Sequence, residues 1–301
     1  MPAVEHSFKA MGGPARLRLE ADSAASAEAA IDAVVAEVER LERKFSRYLD
    51  DSLTTRINRA AGRGEPVAID AETHAILNYA DTAWSESGGR FDLTSGVLRK
   101  AWDFRSGRIP TQSEIDALLP LVGWEQVQLA ADSVYLPRQG MELDFGGCVK
   151  EYAADAAAAQ LKARGVNAAL VDLAGDMVAV GAPAEHEGWP IGIRHPAETS
   201  TAIASVRLPR GALASSGDYE RCIEIDGRRY GHILDPLTGW PVAGPVAVSV
   251  LAGQCLVAGS TATMAMLKPL EESLTWLDEL GLPWLAVDAS MQCHGTLAGQ
   301  D

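Results

Sequence analysis

Between residues 14 and 20 the chain alternates, with Ala15, Leu17 and Leu19 set against Arg16, Arg18 and Glu20. A period of two predicts a strand with one face buried. The period then lengthens. Ala27, Ala30, Ile31, Val34, Val35, Val38, Leu41 and Phe45 recur every three or four positions, which predicts an amphipathic helix over 26–45 with Ser26 as its cap. A second helix is predicted from 70 or 71 to 87, stopped by Gly88 and Gly89. Thr111 and Glu114 have the spacing of a capping box ahead of Ile115, Leu118 and Leu119. Short strands are expected at 127–129, 134–136 and 141–145. A helix over 150–164 comes next, with Tyr152, Ala153, Ala156, Ala157 and Leu161 on one face and Gly165 at its end. Strands are predicted at 168–173 and 177–180 around the turn Ala174-Gly175-Asp176, then at 202–208, 221–225, 230–234 and 246–251. Helices at 257–267 and 270–280 and a strand at 284–287 complete the pattern.

Runs of strands and hairpins with interspersed helices, without regular βαβ alternation, indicate an α+β fold. No fixed-period repeat and no low-complexity linker interrupts the chain, so one domain over 1–301 is expected. With 301 residues, 47% of them hydrophobic, there is ample material for a buried core.

Charge narrows the partners. Acids number 41 against 26 bases, a net charge of -15. That surplus repels nucleic-acid phosphates and anionic lipid, so neither is expected as a main partner. An anionic ligand would need a local basic group, a helix N-terminus or a metal. Cys148, Cys222, Cys255 and Cys293 are far apart, without a CxxC pair, and read as free thiols. The first residues have neither a basic n-region nor an apolar h-region, and no run reaches the ~18–20 apolar residues of a membrane span. A cytoplasmic location is the expectation for the chain as written, unless a leader has been removed.

Several constellations bear chemistry. Phe45-Ser46-Arg47-Tyr48 with Asn58 reads alone as a helix end and polar turn. Arg90-Phe91-Asp92-Leu93-Thr94-Ser95-Gly96 is either a locally capped loop or the edge of a site for a ring-shaped ligand. In Leu143-Asp144-Phe145-Gly146-Gly147-Cys148-Val149-Lys150 a strand is expected to run through two glycines into a helix, where exposed N–H groups and Lys150 suit a phosphate. It is neither a Walker A loop nor a GxGxxG fingerprint. His232, ahead of the turn Asp235-Pro236-Leu237-Thr238-Gly239, is the one of six histidines in a context that suggests proton transfer, although a structural role competes. Val257 to Met264 begins a helix with small residues and hydroxyls, fit for close packing or, through Thr263, for a metal.

In order and wording these segments resemble the flavin transferase (ApbE) family, the FAD:protein FMN transferases. The resemblance runs from about Phe8 to Lys268. It rests on Ala10-Met11-Gly12, Phe-Ser-Arg-Tyr with Asn58, Phe91-Asp92 with Gly96, and Leu143-Asp144-x-Gly-Gly-x-x-Lys. Asp172-Leu173-Ala174-Gly175-Asp176, Ser216-Gly217-Asp218-Tyr219 and His232-Ile233-Leu234-Asp235-Pro236-x-Thr-Gly continue it. The resemblance implies mostly antiparallel sheets with flanking helices and an FAD cleft between two halves. It implies a magnesium-dependent reaction that moves FMN from FAD to a threonine or serine of an acceptor flavoprotein and releases AMP. It assigns flavin-nucleotide contacts to Met11, Tyr48, Phe91, Asp92, Leu93, Asp144, Lys150 and Ile233. Gly147, through its carbonyl, and Thr263 correspond to metal ligands, and His232 to the residue that deprotonates the acceptor.

One position departs. The family's metal-binding aspartate, four residues before the threonine, is Gly259 here, and Ala262 is also without a ligand atom. Three readings are open: transfer rescued by another carboxylate (Asp176, Asp218 or Asp235), FAD binding without transfer, and hydrolysis of FAD to FMN and AMP. Ser260 is a further candidate oxygen. Gly259→Asp is expected to tighten magnesium binding and raise any turnover; unchanged metal affinity would mean that the missing ligand is supplied elsewhere.

Overall fold

The structure is a computed structural model that describes residues 3–104, 106–198, 200–218, 222–225 and 228–299. Tyr219 of the motif at 216–219 and Arg221 of the strand expected at 221–225 lie outside the described residues.

Its centre is an eight-stranded sheet whose spatial order follows the chain: Ala3–Ala10, Gly13–Glu20, Ala169–Leu173, Asp176–Gly181, Gly211–Gly217, Ala247–Ala252, Trp284–Val287 and Cys293–His294. Every neighbouring pair is antiparallel. The strand Ala169–Leu173 shows why the sheet needs cover on both sides. Ala169, Val171 and Leu173 enter the main core, whereas Leu170 points into a second cluster with Trp189, Ile191, Val206 and Leu213. Helices Ala24–Phe45, Val149–Ala163 and Cys255–Met266 cover the first face, and the hairpin of Trp189–Arg194 and Ala202–Leu208 contributes to the second. Long stretches buried on both faces produce near-continuous apolar runs.

Residues 46–145 leave the sheet and return, carrying helices Leu53–Ala60 and Ala71–Glu86 and a small sheet of Val67–Ala68, Ser133–Tyr135 and Gln128–Ala130. Their buried side chains, Ile57, Ile76 and Leu77 among them, join the same core cluster as Val34, Val171 and Val248. The antiparallel sheets with flanking helices match the α+β expectation.

Three local differences have clear causes. The first long helix starts at Ala24 and is capped by Ser23, not Ser26. The two serines form a reciprocal capping box, the N–H of each donating to the other's Oγ at 3.1 Å. No strand forms at 141–145. There the Asn58 amide replaces a partner strand, donating to the Leu143 carbonyl at 3.0 Å and accepting from its N–H at 2.7 Å. The Asp144 N–H donates to the Leu93 carbonyl at 2.8 Å, so the extended backbone is satisfied without a ladder. The strand expected at 230–234 ends at Gly231, because Asp235 folds the chain back through the N–H groups of Thr238 and Gly239.

Two helices are locked in register by side-chain bonds. Asp155, on Val149–Ala163, accepts from the N–H groups of Cys255 and Leu256 at 2.8 and 2.9 Å. It thereby caps the neighbouring helix Cys255–Met266 from outside. Tyr79 and Ser260 of that helix add a hydroxyl–hydroxyl bond at 2.5 Å.

Candidate functional site

The candidate site lies where the excursion at 46–145 meets the sheet. Three adjoining recesses of about 400, 440 and 440 Å3 share lining residues around Gly146. One holds Met11, Tyr48 and Arg47, the second Phe91 to Leu93 with His232 and Ile233, and the third Lys150, Glu151, Ser216 and Thr263. All the site residues expected from the sequence therefore fall on one continuous cleft.

Met11 takes a positive φ of 54° in the turn between the first two strands, beside Gly12. Tyr48 is 80% exposed, its hydroxyl accepting from Arg47 at 2.7 Å, so it offers an open aromatic face at the cleft edge. Arg47 is also paired with Asp144, which in turn accepts from the Gly146 N–H at 3.0 Å. Asp144 is thus held from both ends, and Arg47 brings positive charge to the rim.

Phe91 and Leu93 are buried walls. Asp92 is committed to the loop itself. Its carboxylate accepts from the Thr94 N–H and hydroxyl, both at 2.6 Å, and from the Trp124 N–H at 3.0 Å, while burial raises its pKa. Its side chain therefore shapes the Phe91–Leu93 backbone instead of reaching outward.

The Phe145–Gly147 turn leads directly into the helix Val149–Ala163, whose N-cap, Cys148, makes no side-chain cap. A helix start without a side-chain cap suits a negatively charged ligand. Lys150 does not add the free point charge that its sequence context suggests. Its ammonium pairs with Asp176 at 2.5 Å. Burial disfavours the charged lysine, but the Asp176 carboxylate outweighs it and holds the Lys150 pKa above its usual value. Three arginines also line the cleft: Arg90, Arg47 paired with Asp144, and Arg99 paired with Glu142.

His232 lies at the junction of two recesses, edge-on to Phe104 with 6.5 Å between ring centroids. Burial raises the Asp218 pKa, against the opposing charges of Arg229, which pairs with it at 3.0 Å, and of His232. Thr263 projects from the helix Cys255–Met266 into the same region, its Oγ1 2.9 Å from Ser216 Oγ.

The acids that could substitute at the Gly259 departure are engaged elsewhere. Asp235 caps its own turn through the Leu237 N–H at 2.9 Å, Asp218 holds Arg229, and Asp176 holds Lys150. Ser260 is turned away, its hydroxyl donating to the Leu256 carbonyl at 2.8 Å. The group beside Gly259 is one that the sequence pattern does not single out. Glu151, 6% exposed, extends from the facing helix so that a Cβ at 259 would lie 2.4 Å from its Cγ. Its Oε2 is buried without a hydrogen-bond partner. Burial first, and then the neighbouring Asp176, push its pKa up to about 8. The local hint is a glutamate among buried positions that are otherwise alanines, Val149 and Leu161. This geometry weighs against the expectation that Gly259→Asp tightens metal binding, because a side chain at 259 would run into Glu151.

Comparison with known proteins places these observations. Residues 11–285 match the ApbE family. An FAD:protein FMN transferase of Treponema pallidum is 34% identical over 275 residues, covering 85% of this chain and 76% of the relative. One from Klebsiella pneumoniae is 33% identical, covering 79% of this chain and 73% of the relative. The crystal structure of an ApbE protein from Thermotoga maritima superimposes with a TM-score of 0.89 at 27% identity, covering 98% of this chain and 97% of that one.

Proposed function

Because the chain belongs to the ApbE family, we infer that it is an FAD:protein FMN transferase, moving FMN from FAD to a threonine or serine hydroxyl of an acceptor protein. The observation that carries this reading is the convergence on one cleft of an exposed aromatic edge, an uncapped helix N-terminus and a histidine beside hydroxyls. These suit, in turn, a flavin ring, a diphosphate and the activation of an alcohol.

The roles follow from position. Tyr48, Met11 and the buried wall of Phe91 and Leu93 bound the flavin side, with Asp144 and Arg47 fixing the rim between recesses. Ile233 continues the wall next to His232. The start of Val149–Ala163, which has no side-chain cap, receives phosphate oxygens, with the Lys150–Asp176 pair beside it. His232 takes the proton of the acceptor hydroxyl as its oxygen bonds to the FMN phosphorus. The bond from that phosphorus to the bridging oxygen breaks, and AMP leaves. The chemistry is one of positioning and charge, which is what a preorganised cleft supplies.

Magnesium belongs to the same proposal. The donor set around the third recess fits a hard cation: the Gly147 carbonyl, the Thr263 hydroxyl and a buried carboxylate oxygen without a partner. When bound there, the cation would offset charge on the diphosphate oxygens. Binding without transfer and simple hydrolysis both draw their force from an acid missing at 259, and Glu151 stands beside that position.

The net charge of -15 disfavours nucleic acid as a partner, and no helix among the described residues is long and apolar enough to cross a membrane. The test is acceptor dependence. With FAD and magnesium, AMP release should rise when a protein bearing the target hydroxyl is added, and fall when that residue is changed to alanine. AMP release indifferent to the acceptor would refute transfer.

A further inference from the structure

Two helices face each other across the third recess, and their contact is set by a glycine on one and an acid on the other. Gly259 lies four residues before Thr263 on Cys255–Met266, so both present toward the same side. A Cβ at 259 would meet Glu151 at 2.4 Å from Cγ and 3.1 Å from both Cδ and Oε1. Cγ moves only with rotation about Cα–Cβ, so turning the carboxylate end alone would not relieve that contact. The register is not free to slip either, because Asp155, one turn further along the acid's own helix, caps the glycine's helix.

We propose that Glu151 is the carboxylate ligand of the cation in this chain, delivered from Val149–Ala163 into the space that a side chain at 259 would otherwise occupy. Gly259 and Glu151 are then a reciprocal pair, with the acid on one helix and the glycine that admits it on the other. The proposal rests on the transferase reading only for the identity of the cation. Three independent observations point the same way. Glu151 is 6% exposed, yet its Oε2 has no hydrogen-bond partner, which is costly for a group held only for packing. It lines the same recess as Gly147, Ser216 and Thr263, which bring a carbonyl and two hydroxyls. The other nearby acid, Asp176, is already paired with Lys150. A hard divalent cation takes oxygen ligands of this mixed kind and needs at least one carboxylate among them.

The test uses Mn2+ as the probe, titrated into the full chain at saturating FAD without acceptor and followed by electron paramagnetic resonance. Glu151→Gln, nearly isosteric, should weaken Mn2+ binding by at least about tenfold, a loss at or beyond that of removing a supporting residue from a metal site. Gly259→Asp alone should not tighten it. The double variant Glu151→Gly with Gly259→Asp should recover most of the affinity that Glu151→Gly loses, by returning a carboxylate from the opposite helix. Unchanged Mn2+ affinity in Glu151→Gln overturns the proposal, as does the absence of any Mn2+ site in the unmodified chain. The transferase reading is scored separately by acceptor labelling. A chain that binds Mn2+ through Glu151 but labels no acceptor keeps this proposal and loses that reading.

Discussion

Gly259→Ala pits two ordinary effects against each other, and the structure decides the sign. A glycine inside a helix costs about 1 kcal/mol relative to alanine, so the substitution should stabilise an unconstrained helix by that amount. At 259 the added methyl would sit 2.4 Å from Glu151 Cγ, in an interface where Gly259 is itself buried. Overpacking of a tight core costs about 1–3 kcal/mol. The net expectation is a loss of about 0–2 kcal/mol, the difference between those two effects. For a chain of this length that is a fall in Tm of up to about 4 °C, against a rise of about 2 °C if the helix were free. The cleaner quantity is the coupling with Glu151→Ala, which removes Cγ and so the clash. In a double-mutant cycle by urea denaturation, Gly259→Ala should become stabilising in the Glu151→Ala background, with a coupling of about 1–3 kcal/mol. If Gly259→Ala stabilises the unmodified chain by about 1 kcal/mol and shows no coupling, Glu151 does not occupy the space over Gly259, and the reciprocal pair is wrong.

Other consequences can be checked alongside. Asn58→Ala leaves the Leu143 N–H and carbonyl without their side-chain partner; at about 1–3 kcal/mol for each buried group stranded, a clear fall in the urea midpoint is expected, with weaker FAD binding as Asp144 loosens. His232→Gln should lower the rate of transfer by about 10²–10⁴ while FAD affinity, read by fluorescence quenching, stays the same. The third concerns acid. Hydrogen bonds from Arg40, with Lys44 also contributing against the cost of burial, lower the Glu72 pKa from 4.5 to about 2. A depressed carboxylate stabilises the fold above its unfolded pKa and loses that contribution as pH falls through the folded value. The advantage of the unmodified chain over Glu72→Gln, on the order of 1 kcal/mol after solvent screening, should therefore shrink between pH 4.5 and about 2 in thermal melts. An advantage that is constant over that window would contradict the assignment.

The elements most legible from the sequence are those whose burial pattern is one-sided. The alternation at 14–20 and the helical spacing from Ala27 to Phe45 both survive in the structure, with bounds shifted by a cap. Gly211–Gly217 is not legible, because a strand made of Gly, Ala, Leu and Ser has little β-propensity and is held by neighbours on both edges. Ala3–Ala10 escapes sequence reading for a different reason: it is an edge strand whose inner face, Val4, Phe8 and Ala10, is broken by His6 and only partly buried. The segment at 141–145 has the apolar content of a strand but pairs with a side chain, which no local pattern encodes.

The site divides in the same way. Motif residues such as Met11, Tyr48, Gly147, His232 and Thr263 do gather along one cleft. What the motifs do not carry is who pairs with whom. Lys150 reads as a free cation until Asp176 is seen against it, and that Trp124, as well as Thr94, holds Asp92 to its loop is visible only in the fold. Gly259 reads as a loss until Glu151, 108 positions earlier in the chain and on another helix, is found over it. Such pairings between helices are set by tertiary packing, and a substitution at one member can be judged only with the other in view.

The central claim is that this cleft transfers FMN to an acceptor hydroxyl. It is tested most directly by incubating the chain with FAD, magnesium and an acceptor protein, then weighing the acceptor and quantifying the nucleotide. The account predicts acceptor heavier by one phosphoester-linked FMN, lost when the target threonine or serine is replaced, and AMP released in equal amount. AMP accompanied by free FMN, or FAD recovered intact beside unlabelled acceptor, would contradict it.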